Sequence, residues 1–110
     1  TIIDDWLFID YHDRINVLVE DPSYPKQQQG TEKEKRYLVI RQSKYALEGR
    51  QSLAIVGGII EPGEDPSTAA IREVSEELGF VCSVKFLGRF RTDVNRGMGW
   101  VNSFVAQNCI

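Results

Sequence analysis

The stretch DPSTAAIREVSEELG, Asp65 to Gly79, most constrains what this chain can fold into. Asp65 precedes Pro66 and Ser67, so Asp65 reads as a helix N-cap and Pro66 as the first helical residue, where its missing N–H does no harm. Gly79 suits the left-handed residue that ends a helix. Between them Ala70, Val74 and Leu78 recur at spacing four, with Ile71 beside them. That stripe needs an apolar surface to cover it. The remaining apolar segments read as strands, so the covering surface is a sheet.

Six segments carry the β-branched and aromatic content of strands: WLFID, INVLVE, RYLVIRQ, SLAIVGG with the short GII, VCSVKFLGRFRTD and WVNSFVAQN. RYLVIRQ holds a continuous apolar run, which predicts burial on both faces. Gly57–Gly58 predicts a break between two short strands, and Gly88 predicts a bulge. Residues Glu20 to Lys35, with two prolines and three glutamines, read as one long loop between strands. The chain of 110 residues is enough for one domain, residues 1–110, around one core.

Other classes are disfavoured. No apolar run approaches the ~20 residues of a membrane span, and the N-terminus lacks the basic start and apolar stretch of a secretory signal. Cys82 and Cys109 are too few for a disulfide framework or zinc cluster and are expected as reduced core residues of a cytoplasmic protein. His12 is the only histidine. Charge is uneven: Glu61 to Glu77 holds six acids and one base, net -5, so the rest carries +2 of the chain's -3. That split suits a small anionic substrate that meets a metal in an acidic pocket, and not a duplex nucleic acid, which needs a broad basic face.

Residues three or four apart share a helix face. Glu73, Glu76 and Glu77 are therefore expected to converge on one patch, Arg72 to pair with Glu76, and Glu64 to fold back onto Arg72. Taken alone, REVSEEL also fits a solvated, ion-paired face. Gly57, Gly58 and Gly63 upstream, and the few basic partners nearby, favour a cation site instead. Hard oxygen donors suit Mg²⁺ or Mn²⁺ over zinc.

Gly58, five residues, Glu64, seven residues, Arg72-Glu73-Val74, one residue, Glu76-Glu77, one residue, Gly79-Phe80 resembles the Nudix box at every fixed position. The resemblance implies an α/β (α+β) fold, a mixed β-sheet sandwiched by helices. The family's domain carries one more strand and a helix, so the chain is expected to lack a C-terminal part. It also implies a metal-dependent pyrophosphohydrolase that cleaves a nucleoside diphosphate linked to another moiety. Glu73 and Glu77 become the main metal ligands, Glu76 an auxiliary one, and the Gly57 carbonyl a further donor. Arg72 and Glu64 become the residues that hold the glutamates.

Residues Tyr37 to Glu64 look like the ADP-sugar pyrophosphatase branch, which makes ADP-ribose the first expected substrate. Arg41 and Lys44 are then expected near the diphosphate, with surface charge the other reading for both. Trp6 and Tyr45 read as base stackers or as core. Asp93, Asn95 and Arg96 read as substrate-site residues or as a glycine-rich turn. The branch's acidic residue and proline before the box, and its proline beyond it, are not matched. No acid follows Asp93 to serve as the base that some relatives use, so a box glutamate or a missing segment is expected to supply it. A dinucleoside polyphosphate or oxidised-nucleotide hydrolase and a non-catalytic binding module remain the alternatives. The resemblance also admits a homodimer.

Overall fold

The computed structural model describes residues 12–24, 35–43, 49–92 and 99–110. Its elements in chain order are β1 (Arg14–Glu20), β2 (Tyr37–Leu38), β3 (Ile40–Ser43), β4 (Gln51–Ala54), β5 (Val56–Ile59), α1 (Pro66–Leu78), β6 (Ser83–Arg91) and β7 (Trp100–Gln107). WLFID and most of the predicted Glu20–Lys35 loop lie outside the described residues.

β1 organises the main sheet. One edge of β1 pairs with β7 in parallel, and the other carries β2 and β5 antiparallel. β6 closes the far side against β7. β3 and β4 form a separate antiparallel pair. The sheet is thus mixed, as expected, with one helix among the described residues.

Alternation along β1 sends Ile15, Val17 and Val19 into the core and Arg14, Asn16 and Leu18 to the opposite face. Core partners come from α1 (Ala69, Ala70, Val74), from Val56 on β5, and from Phe104 and Ala106 on β7. Leu78 packs against this core, whereas Ile71 turns outward. The small Ala69–Ala70 pair takes its place and lets the helix approach the sheet closely. Both caps form as the sequence predicts: Asp65 accepts from the Ser67 N–H at 3.0 Å, and Gly79, at φ 78°, donates to the Ser75 carbonyl at 3.0 Å.

Three expectations are corrected. RYLVIRQ is not one strand buried on both faces. It divides at the exposed Val39 into β2 and β3, which join different sheets. Gly57–Gly58 does not break a strand: both lie inside β5, and the break falls earlier, at Ile55. Gly88 does mark a bulge, with the β6–β7 register shifting between Phe86 and Gly88.

The third correction concerns the cysteines. Both are buried, as expected, but they form a disulfide with Cα atoms 4.1 Å apart. Register explains the pairing. Ser83 stands opposite Gln107, yet Val81 and Ile110 exchange backbone hydrogen bonds at 2.9 and 3.0 Å. One extra residue, Asn108 at φ 54°, is absorbed on the β7 side and brings Cys109 opposite Cys82. The cysteines therefore no longer argue for an intracellular protein. No helix among the described residues is long and apolar enough to cross a membrane.

The bridge spans 27 residues of sequence. Chain-entropy arguments put its stabilisation at about 3.5 kcal/mol. Urea unfolding followed by circular dichroism, with and without reductant, is expected to show a clearly lower midpoint for the reduced protein. Coincident curves would mean the bridge does not constrain the unfolded chain.

Candidate active site at the α1–β5 junction

Arg72 is the hub of the box. Its Nε and Nη2 donate to the two carboxylate oxygens of Glu64 at 2.8 and 2.9 Å, a two-pronged pair. Its Nη1 donates to Glu73 at 2.9 Å and to Glu76 at 3.0 Å, and its Nη2 also reaches the Ile59 carbonyl at 3.1 Å. One guanidinium thus ties the loop before the helix, two turns of α1 and the end of β5 together. The loop is fixed from its other side too. Glu64 accepts from the Glu61 N–H at 3.0 Å, and the Glu64 N–H donates to the Glu61 carbonyl at 2.9 Å.

These contacts leave an electrostatic mark. The Arg72 hydrogen bonds hold the Glu64 carboxyl below its ordinary 4.5, with the Glu61 N–H adding to the effect. The same carboxylates, Glu64 foremost, push Arg72 further above its already high value.

The expected folding of Glu64 onto Arg72 and the Arg72–Glu76 pair are both present. The gathering of three carboxylates is not. Among the described residues no group of three or more Asp, Glu, His or Cys side chains stands close enough to hold a metal. Like charges one turn apart repel, and Glu73 and Glu76 turn towards Arg72. Glu77 instead lines a cleft of about 490 Å³ together with residues of β1 and β5.

Gly57 and Arg14, Asn16, Gln42 and Thr92 also line that cleft. Gly58 has a separate role. A Cβ there would overlap the carboxylate of Glu73, so only glycine lets that side chain lie against the β5 backbone. By ligand type alone the donors suit a hard divalent cation, with carboxylates on α1 and a backbone carbonyl at Gly57, while the carboxylates do not stand together as a ready-made cluster among the described residues.

Other expected site residues are placed differently. Arg41 sits on β3 beside Gln42. Because successive strand residues face opposite ways, the exposed Arg41 points away from the side on which Gln42 meets the cleft. Lys44, Arg96, Trp6, Tyr45, Asp93 and Asn95 fall outside the described residues. Arg14, Asn16, Gln42 and Thr92 were not foreseen. A polar Asn16 between Ile15 and Val17 is the signal that could have marked a strand with a solvent-lined face.

The NUDIX domain model matches residues 29–105, and the chain belongs to the Nudix family. Solved structures share its fold. The crystal structure of an ADP compounds hydrolase superposes with a TM-score of 0.72 at 22% identity, over 89% of this chain and 46% of that one. The solution structure of the E. coli ORF135 protein gives 0.65 at 15% identity, over 99% and 67%. A crystal structure of a MutT/nudix family protein from Enterococcus faecalis gives 0.63 at 22% identity, over 87% and 36%. The chain thus spans about half the length of the first of these. No curated protein matches the sequence.

Because Glu64 has a lowered pKa when folded, it stabilises the protein fully above its unfolded value of 4.5, and that contribution is lost as pH falls through the folded value. Glu64→Gln is expected to melt below wild type at pH 7, with the two melting temperatures converging as pH drops below 4.5. A gap independent of pH would show that the Arg72–Glu64 pair does not carry this stability.

Proposed function

We propose that the chain hydrolyses the diphosphate of a nucleoside diphosphate linked to another moiety, with ADP-ribose or a similar ADP-sugar giving AMP and a sugar phosphate. The observation that carries this reading is the Gly58–Glu73 contact beside a cleft lined by Glu77 and Gly57. A glycine kept free for a helix carboxylate, within a complete Nudix box, is what a site for phosphate chemistry needs and what a solvated helix face does not. The likeness of fold to an ADP compounds hydrolase supports trying ADP-linked substrates first.

In this reading Glu73 and Glu77 hold Mg²⁺ or Mn²⁺, Glu76 assists, and the Gly57 carbonyl adds a donor. A bound divalent ion supplies charge that screens the phosphates and acidifies the attacking water. Arg72 and Glu64 do not meet the substrate; they fix the direction of the glutamates. Glu77 is the one carboxylate among the described lining residues of the cleft, which supports assigning it the further role of accepting a proton from water. Lys44 and Arg96 are proposed to guide the anionic substrate, and Arg41, on the outward face of β3, to attract it only at longer range. A small-molecule nucleotide is the partner, and a homodimer completes the proposal. Residues 1–110 are proposed as one Nudix domain.

Two variants test the reading. With Mg²⁺ or Mn²⁺ and ADP-ribose, wild type is expected to release AMP. Glu77→Gln is expected to be slower by on the order of a hundredfold or more while melting normally. Equal rates in the two proteins would remove the metal-site argument, and ADP-ribose binding without AMP release would identify a binding module instead. Gly58→Ala is expected to keep its melting temperature within a few degrees, since the displaced group is the end of a flexible side chain. Its Mn²⁺ affinity is expected to fall about 10- to 100-fold, measured by calorimetric titration. Undiminished affinity would separate Glu73 from the metal.

A further inference from the structure

We propose that Arg14 is a substrate-binding residue, a cation lining the same cleft as Glu77 that receives the phosphate oxygens of the diphosphate. The inference rests on the hydrolase reading for the class of ligand, but its evidence is separate.

The site has a charge problem. A diphosphate entering the cleft that Glu77 lines needs a cation there, and Arg72 is committed elsewhere. Arg72 directs its nitrogens to Glu64, Glu73, Glu76 and the Ile59 carbonyl. Arg41 stands on the face of β3 that turns away from Gln42. Among the described residues that line the cleft, Arg14 is the basic one.

Arg14 is also held in place from several directions. Its Nη2 donates to Thr92 Oγ1 at 3.4 Å, and the Thr92 hydroxyl donates in turn to the Gly99 carbonyl at 2.7 Å. The threonine oxygen is thereby set as an acceptor facing the guanidinium. The Arg14 carbonyl accepts from Asn102 at 3.3 Å. Asn102 is the buried polar residue of the described core, at 5% exposure, and this contact accounts for its presence there. Immediately before it, Asp13 accepts from the Trp100 N–H at 3.1 Å and pairs with Arg89 at 3.3 Å. A surface arginine needs none of this. A planar guanidinium matches phosphate oxygens in pairs, and one already tethered at Nη2 by Thr92 loses less freedom on binding. Asn16, two residues along β1 on the same face, and Gln42 add amide donors and acceptors to the same wall.

The test measures KM and kcat for ADP-ribose in Mg²⁺, together with calorimetric titration of inorganic pyrophosphate in Mg²⁺. Wild type, Arg14→Gln, Arg14→Lys and Thr92→Val are compared, with melting temperatures alongside. Arg14→Gln is expected to raise KM and weaken pyrophosphate binding about 10- to 100-fold with kcat changed little. Arg14→Lys is expected to recover part of the loss, and Thr92→Val to show a smaller KM effect through lost positioning. Should Arg14→Gln fail to fold, Arg14→Lys still reads the site, with weaker pyrophosphate binding than wild type expected. Unchanged KM and pyrophosphate affinity in a folded Arg14 variant would overturn the proposal and leave the hydrolase reading standing. Wild type that releases no AMP would overturn the hydrolase reading alone, and pyrophosphate titration then decides Arg14. Wild type that binds no pyrophosphate overturns the Arg14 proposal.

Discussion

The guanidinium of Arg72 holds the site together. Three carboxylates and a carbonyl within reach of one another would otherwise repel, and this single planar cation meets all four at hydrogen-bonding distance. Each contact joins a different part of the chain. Glu64 belongs to the loop, Glu73 and Glu76 to successive turns of α1, and Ile59 to the end of β5. A point charge such as lysine could not serve so many directions at once, because the fork geometry supplies several donors in fixed positions. Only Gly58 allows the arrangement, since any side chain there would push Glu73 away from the strand.

The sheet makes this junction possible. β1 buries one face against α1 and turns the other to the cleft, so the strand that anchors the core also forms the wall of the site. Its neighbours divide the same labour. β7 contributes Phe104 and Ala106 to the core and, through Asn102, fixes the backbone of Arg14. β5 contributes Val56 to the core and its glycines to the approach of the helix. A small domain has little core to spare, and here no strand near the site serves packing alone. The disulfide between Cys82 and Cys109 closes the end of β6 and β7 remote from the cleft-lining residues of β1.

The helix was legible because its signals are local. Asp65, Pro66 and Gly79 mark its ends by chemistry that depends on few neighbours, and Arg72, Glu73, Glu76 and Glu77 take their relation from helical spacing. The Glu64–Arg72 pair was legible for the same reason, being a loop contact onto the next element. What was not legible depends on register or on distant chain. RYLVIRQ looked like one buried strand because its apolar run carries no mark of the change of sheet at Val39. Cys82 and Cys109 looked unpaired because the extra residue at Asn108 has no glycine to announce it. Glu73, Glu76 and Glu77 looked convergent because spacing fixes which side of the helix they leave from, not which partner each takes. Arg14 escaped notice because its importance rests on Thr92 and Asn102, about eighty residues away in the sequence.

The proposed hydrolysis depends on Glu73 and Glu77, with the Gly57 carbonyl, holding a divalent cation in a site organised by Arg72. A crystal soaked in Mn²⁺ and measured at an energy where manganese scatters anomalously tests it most directly. An anomalous peak is expected within coordination distance of oxygens from Glu73 and Glu77. Full manganese occupancy elsewhere, with no peak between those side chains, would contradict it.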